Sequence, residues 1–166
     1  MDAEEWERRI AMAWASMDDY GEPEFRELMK ELTAQAPIEL GGAGDFEYGG
    51  AFDSTGDPQR AVELYRRALD RGLDPDRRRQ ATIQMASSLR NLGRADEGVT
   101  LLIEELARGS DLLDDAVRGF LALALVDAGR EREAVSQALT ALAPHLTRYQ
   151  RSMAAYAHAL THADNQ

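Results

Sequence analysis

The sequence predicts an all-α fold, a stack of antiparallel helical hairpins with about nine helices, and three observations predict it. First, three segments align without gaps: Gly56 to Tyr65, Gly93 to Leu102 and Gly129 to Ala138. Each opens with Gly and a charged residue, then places a small residue (Ala61, Gly98, Ala134) five positions after the Gly with a valine beside it. Second, these glycines fall 37 and 36 residues apart, which is the length of two helices and their short turns. Third, apolar residues recur with a helical period throughout, and no window alternates as a strand would.

The elements follow in chain order. Residues 2–18 form an amphipathic helix with Trp6, Ile10, Ala13, Trp14 and Met17 on one side and acids on the other. After the Gly21-Glu22-Pro23 break, Phe25, Leu28, Met29 and Leu32 line a second helix to about Ala36. Both tryptophans lie in the first helix and read as a plug for the open end of the stack rather than as a partner contact, because terminal repeats need capping. Segment 37–56 is rich in glycine, and Gly49 and Gly50 weaken a helix around Phe46 to Ser54, so the sequence leaves this stretch open between helix and mobile loop.

Asp57-Pro58 and Asp74-Pro75 each set a cap acceptor before a first-turn proline and mark two helix starts. Gly56, Gly93 and Gly129 read as the turn inside each hairpin, since Gly takes the left-handed conformation that ends a helix. Gly72 and Gly109 close the second helices. Between these marks run Ala61, Leu64, Tyr65, Ala68 and Leu69, then Met85, Ala86, Leu89 and Leu92, then Val99, Leu102, Ile103 and Leu106, then Ala134, Val135, Ala138, Leu139 and Leu142. Tyr149, Met153, Tyr156, Ala157 and Leu160 form a last, capping helix after Pro144. The expected organisation is one domain, 1–166: an acidic helical pair at 1–37, three repeat hairpins at 40–146 and a cap at 147–163.

These marks resemble the tetratricopeptide repeat family, in its short bacterial form. The best copy runs from Gly56 to Ala68, with a small residue, an aromatic and a small residue at Ala61, Tyr65 and Ala68. The preceding helices match with Ala86 or Ala122 seven positions before the turn Gly and Leu89 or Leu125 four before it. Departures are Gly98 for the small Ala, Leu102 and Ala138 for the aromatic, and Glu105 where a small residue is usual. The resemblance implies a right-handed superhelix and a protein–protein interaction module that binds a protein or peptide.

Composition narrows the function classes. The net charge of −11 is uneven: residues 1–57 carry 15 acids against four bases, and the remainder holds 15 of each. Such a surface repels nucleic-acid phosphates and anionic lipid, so neither is expected as a partner, whereas a basic partner would be attracted. No apolar run approaches the ~20 residues of a membrane span. There is no cysteine, which excludes disulfides, thiolate metal sites and thiol catalysis. With an acidic start, Met1-Asp2-Ala3-Glu4-Glu5, the expected location is cytoplasmic.

Catalytic chemistry finds no support. His158 and His162 are four apart on the last helix, a spacing that can hold a metal, but they lack the metalloprotease Glu and read as a surface pair, with Asp164 the nearest acid. His145 follows Pro144 at a helix end. Asp18-Asp19, Glu104-Glu105 and Asp114-Asp115 read as helix-terminal or solvent-facing, and Asp111 joins the last pair in complementing a helix dipole. Gly41-Gly42-Ala43-Gly44 could cradle phosphate, but Asp45 replaces the Lys such loops require. The sequence therefore predicts no enzyme, no cofactor and no metal.

In stacked hairpins the leading helices line the inner curve. With Ala86 and Leu89 turned to the hairpin partner, the neighbouring stripe holds Gln80, Ile83, Gln84, Ser87 and Asn91. The next leading helix presents Ala116, Gly119, Phe120, Leu123 and Asp127. The candidate groove is Gln80, Ile83, Gln84, Ser87, Arg90, Asn91, Phe120, Leu123 and Asp127. Arg90 and Asn91 are the nearest candidates for the family's clamp on a terminal carboxylate, but the following helix offers no matching base. Residues 116–126 hold nine apolar positions of eleven, more than a one-sided helix requires. Phe120, Leu123 and Val126 must be covered by the chain's own N-terminal helices, by a second copy in a homodimer, or by a peptide. Arg77-Arg78-Arg79 begins the central helix, an unfavourable place for cations, and either pairs with the acidic first third or is solvated.

Overall fold

The computed structural model describes residues 1–109 and 112–162; Asp111, Asp164 and the last residue of the expected cap lie outside them. The described residues form nine α-helices and no strand: α1 (Ala3–Ala15), α2 (Glu22–Thr33), α3 (Ala43–Ser54), α4 (Pro58–Arg71), α5 (Pro75–Asn91), α6 (Ala95–Arg108), α7 (Asp114–Asp127), α8 (Glu131–Leu142) and α9 (Gln150–His162). Short 3₁₀ turns follow α1, precede α3 and follow α8. No described helix is long and apolar enough to cross a membrane. The chain separates into two compact units, Met1–Ser88 and Leu89–Gln166.

The turn glycines break the chain as expected. Gly56, Gly93 and Gly129 have φ of 83°, 73° and 73°. The same pair of bonds closes each turn. The residue after the Gly donates its N–H to the carbonyl five back: Asp57 to Phe52 (2.9 Å), Arg94 to Leu89 (2.9 Å), Arg130 to Leu125 (2.8 Å). The Gly itself donates to the carbonyl three back, at 3.3, 2.9 and 3.0 Å. These two bonds satisfy carbonyls that a helix end otherwise orphans. The two Asp-Pro starts also cap as the sequence implies, Asp57 accepting from Arg60 N at 3.1 Å and Asp74 from Arg77 N at 2.9 Å.

In the first unit, α1 and α2 pack as a pair and α2 packs on α3, which packs on α4. Trp6, Ile10, Ala13, Phe25, Met29, Leu32, Ala43 and Ala51 form the core here. Trp6 is fully buried and donates its indole N–H to Leu32 O at 2.9 Å, so it closes the α1–α2 pair from inside. Arg26 on α2 donates to the hydroxyl and the carbonyl of Thr55, both at 2.5 Å, and lies over the Phe52 ring, 5.1 Å from its centroid. It thereby ties α2 to the end of α3.

The glycine-rich stretch is a helix and not a loop. Propensity is outweighed there by packing: Ala43, Gly44, Asp45, Phe46, Glu47, Gly49 and Ala51 are all buried. Its glycines are sites of close approach. A Cβ on Gly49 would lie 2.9 Å from the Tyr65 ring, and one on Gly50 3.0 Å from Trp14. On Gly44 it would lie 2.8 Å from Thr33 O. Nor does Gly41-Gly42-Ala43-Gly44 cradle an anion, since Gly42 N–H donates to Gly72 O at 2.7 Å.

In the second unit, α6 packs on α7, α7 on α8 and α8 on α9. Val117, Leu121, Ala124, Leu125, Val99 and Leu102 are buried. The buried Ser136 hydroxyl of α8 donates to Ala157 O of α9 at 2.7 Å, which attaches the last helix. Glu105 departs from expectation: the sequence places it in a solvent-facing row, and it is buried, 3.8 Å from Arg108. Its position is the one where the repeat usually carries a small residue, and that position faces inward whatever occupies it.

Two helical glycines should respond oppositely to the same change. Gly49→Ala forces a methyl against the Tyr65 ring and should cost about 1–3 kcal/mol. Gly119→Ala, with open space around its Cβ, should gain about 0.5–1 kcal/mol from helix propensity. Urea unfolding of the two variants reads both signs; a stabilised Gly49→Ala would contradict the close packing of α3 on α4.

Candidate binding surfaces

Polar groups concentrate in a cavity of the first unit, about 460 Å³, lined by Trp14 of α1, Phe46, Glu47, Gly50, Asp53 and Ser54 of α3, Tyr65 of α4, and Gln80 and Gln84 of α5. Gly50 carries no side chain that could fill it, and the Trp14 ring lies across that glycine. Phe46 and Tyr65 stand 6.2 Å apart, centroid to centroid, at a 44° tilt. Trp14 packs on Phe25 at 5.2 Å, so its ring is fixed from behind.

Two carboxylates face this cavity. Glu47 is only 9 % exposed. Its Oε2 accepts the Trp14 indole N–H at 2.7 Å, while its Oε1 lies 3.7 Å from Arg77 Nε, long for a hydrogen bond. Burial pushes its pKa above the ordinary glutamate value, and the Trp14 bond and the Arg77 charge offset this only in part. Asp53 accepts from the Ser88 hydroxyl at 2.7 Å, and burial raises it as well, against the bonds from Ser88 and Tyr65. The Tyr65 hydroxyl has one proton and two acceptors, Gln84 Oε1 at 2.7 Å and Asp53. Burial and the nearby Asp53 and Glu47 charges raise Tyr65 far above its usual value, so it remains a neutral donor.

Arg77 shows which way the central arginine cluster turns. It bonds Glu7 at 2.5 Å and Asp74 at 3.1 Å beside its Glu47 contact, so it pairs with the acidic N-terminal third. Asp45, buried on the same helix as Glu47, shows the opposite electrostatics. Arg67 and Arg71 both hold it, Arg71 at 3.0 Å, and their bonds and charges outweigh the burial penalty and keep it below the usual aspartate value. That second pocket, about 290 Å³ with Lys30, Gly41, Gly44 and Tyr48 around it, therefore has its charges already matched.

The residues of the expected groove are placed as follows. Gln80 is exposed at the cavity and Gln84 is half-buried and engaged by Tyr65. Ser87 is half-buried and Asn91 is exposed, whereas Ile83 is buried at 7 % exposure and belongs to the core rather than to an open surface. In the second unit Arg90 Nε donates to Asp127 Oδ2 at 2.6 Å, so these two satisfy each other. Phe120, Leu123 and Val126 are 37 %, 47 % and 51 % exposed, an apolar row on α7 of the second unit. Trp14, Glu47, Asp53 and Tyr65 were not singled out as site residues by the sequence. The one available signal was a pair of acids six apart on a glycine-rich segment, and glycine content argued against any helix that would align them.

The histidine pair does not converge on a metal. The His158 and His162 rings are stacked in parallel, 3.8 Å between centroids, and His162 Nδ1 is 2.9 Å from His158 O. Stacked rings direct their in-plane lone pairs side by side rather than at one point. His145 pairs with Asp115 at 2.8 Å.

A family model described as Tetratrico peptide repeat matches residues 42–160. Among solved structures, the nearly identical TPR-like repeats of a kinesin light chain-like protein of Podosopora anserina superpose with a TM-score of 0.71 at 19 % identity, covering 98 % of this chain and 90 % of that one. MamA from AMB-1 superposes with a TM-score of 0.55 at 19 % identity, covering 95 % and 92 %. At this identity the likeness concerns the fold. No curated protein sequence matches the chain.

The raised pKa values of Glu47 and Asp53 have a definite sign in stability. A carboxyl that binds its proton more tightly folded than unfolded adds stability as pH falls through its folded value towards the ordinary one, near 4.5 for Glu and 3.8 for Asp. Unfolding midpoints should rise as pH is lowered from 7 towards the ordinary carboxylate values, and this rise should shrink in Glu47→Gln/Asp53→Asn, which should be no less stable than the parent at pH 7. A parent protein whose midpoint falls over that range would refute the assignment. Asp45 acts in the reverse direction: its contribution is lost only as pH falls below the ordinary aspartate value, through its depressed one.

Proposed function

Since the chain belongs to the tetratricopeptide repeat family, we propose that it is a cytoplasmic protein–protein interaction module that holds a protein or peptide partner on its leading helices. The observation that carries this reading is the exposed apolar row Phe120, Leu123 and Val126 on α7. Large apolar side chains aligned on one helix face are costly to leave in water, at roughly 25 cal/mol per Å² of apolar surface, and partner surfaces are where such rows are retained. The Arg90–Asp127 pair gives that face a polar edge. The N-terminal pair at 1–37 and the helix at 147–163 serve in this reading as caps around three repeat hairpins at 40–146. No catalytic role is proposed for any residue.

A second copy of the chain is the alternative occupant of the same row, giving a self-associating structural module. The two readings separate in one series. Affinity capture with the parent and with Phe120→Asp/Leu123→Asp should lose a common band only in the variant, while the parent's mass by light scattering stays that of one chain at all concentrations. A mass that rises with concentration and falls back to one chain in the variant would assign the row to self-association. An unchanged band in a folded variant would reject the row as a docking surface.

A further inference from the structure

We infer that the cavity between α1, α3 and α5 takes the cationic side chain, lysine or arginine, of a basic segment in the partner. This deepens the interaction-module reading and rests on it for the source of the cation. Four features of the cavity point to a cation. Its walls include the rings of half-buried Trp14 and of Phe46, with the Tyr65 ring sealed behind them, and aromatic faces attract an ammonium or guanidinium. Its two carboxyl groups, Glu47 and Asp53, are the lining groups that can carry charge near neutral pH, since Tyr65 is held neutral. Among the described residues the nearest polar contact of Glu47 Oε1 is Arg77 at 3.7 Å, which leaves acceptor capacity on a carboxylate whose side chain is 11 % exposed. Its remaining polar lining is hydroxyl and amide, from Ser54, Gln80 and Gln84, which provide oxygens for further N–H donors.

The volume, about 460 Å³, lies within the ~300–1,000 Å³ of ordinary ligand sites and admits one long side chain. Anionic and neutral ligands fit the same space less well. A carboxylate or phosphate would meet two acids, with Arg77 already engaged by Glu7 and Asp74. An uncharged apolar group would leave Glu47 with only the Arg77 charge, 3.7 Å away, against its desolvation. A cation replaces lost water around both carboxylates and gains the ring faces. The acidic excess of residues 1–57 would draw a basic segment towards this unit.

The test uses the full chain and synthetic nonapeptides that carry one central arginine or lysine in a glycine–serine context, with citrulline in place of arginine as the uncharged control of the same shape. Binding is read by Trp fluorescence, because Trp14 lines the cavity while Trp6 is sealed in the core, and by calorimetry. The arginine and lysine peptides should bind, the citrulline peptide at least tenfold more weakly. Glu47→Gln/Asp53→Asn should reduce binding of the charged peptides at least tenfold while its unfolding midpoint is retained. Equal binding to parent and variant would place the peptide on the diffuse acidic surface and overturn the cavity assignment. Equal binding of the citrulline peptide would overturn the cation. Butylamine or guanidine binding as tightly as the peptides would overturn the partner segment as source. Capture of a partner through the α7 row, with no peptide binding here, would sink this inference and leave the module reading intact.

Discussion

Everything in the first unit depends on how closely two aromatic rings approach one backbone. Helix α3 offers Gly49 to Tyr65 and Gly50 to Trp14, each leaving no room for an ordinary side chain. The helix gives up intrinsic stability for this, about 0.5–1 kcal/mol per glycine. The return is that α1 and α4 can both press on it and hold the rings at fixed positions. The same absence of side chains opens the space between the rings. The cavity is thus a direct consequence of the packing solution, because a helix able to accept aromatic rings at backbone distance cannot also fill the gap beside them.

The charges on α3 divide according to what lies opposite. Asp45 meets two arginines from α4 and is held as a carboxylate more firmly than in water. Glu47 and Asp53 meet hydroxyls, an indole and one distant arginine, and burial dominates. Three acids on one helix therefore play two roles: one ties helices together, and two are carried at a cost to stability. Groups that a fold keeps against its own stability are the ones for which a ligand is the natural compensation.

The repeat was legible because its signals are local. A left-handed glycine, an Asp-Pro start and helical spacing each act over a few residues, and Gly56, Gly93 and Gly129 end their helices with identical bonds. What could not be read was whatever depends on a distant partner. The stretch around Gly49 looked too weak for a helix because propensity counts a missing side chain as a loss, while in the fold it admits a ring from sixteen residues away. Glu105 looked solvent-facing because a charge was weighed above its place in the repeat. The sequence did place Phe120, Leu123 and Val126 together as an apolar excess, and they are the exposed row on α7. It missed Trp14, Glu47 and Tyr65 as a group, since nothing in the chain order signals that an indole, a carboxylate and a phenol from three helices share one space.

Acid content alone does not give such a protein selectivity. Exposed carboxylates of the first 57 residues act on a basic partner over a distance that salt limits to about 10 Å at 0.1 M, and they act alike on any cation. They raise the encounter rate and little else. Discrimination requires a place where charge is weighed against shape in a medium poorer in water. Glu47 is a candidate for such a place, because its burial costs the protein something that a correctly inserted cation would recover, and the cavity walls would set what can be inserted. In the proposed mode the diffuse charge would bring basic segments near, and the desolvated carboxylate would determine which of them stays.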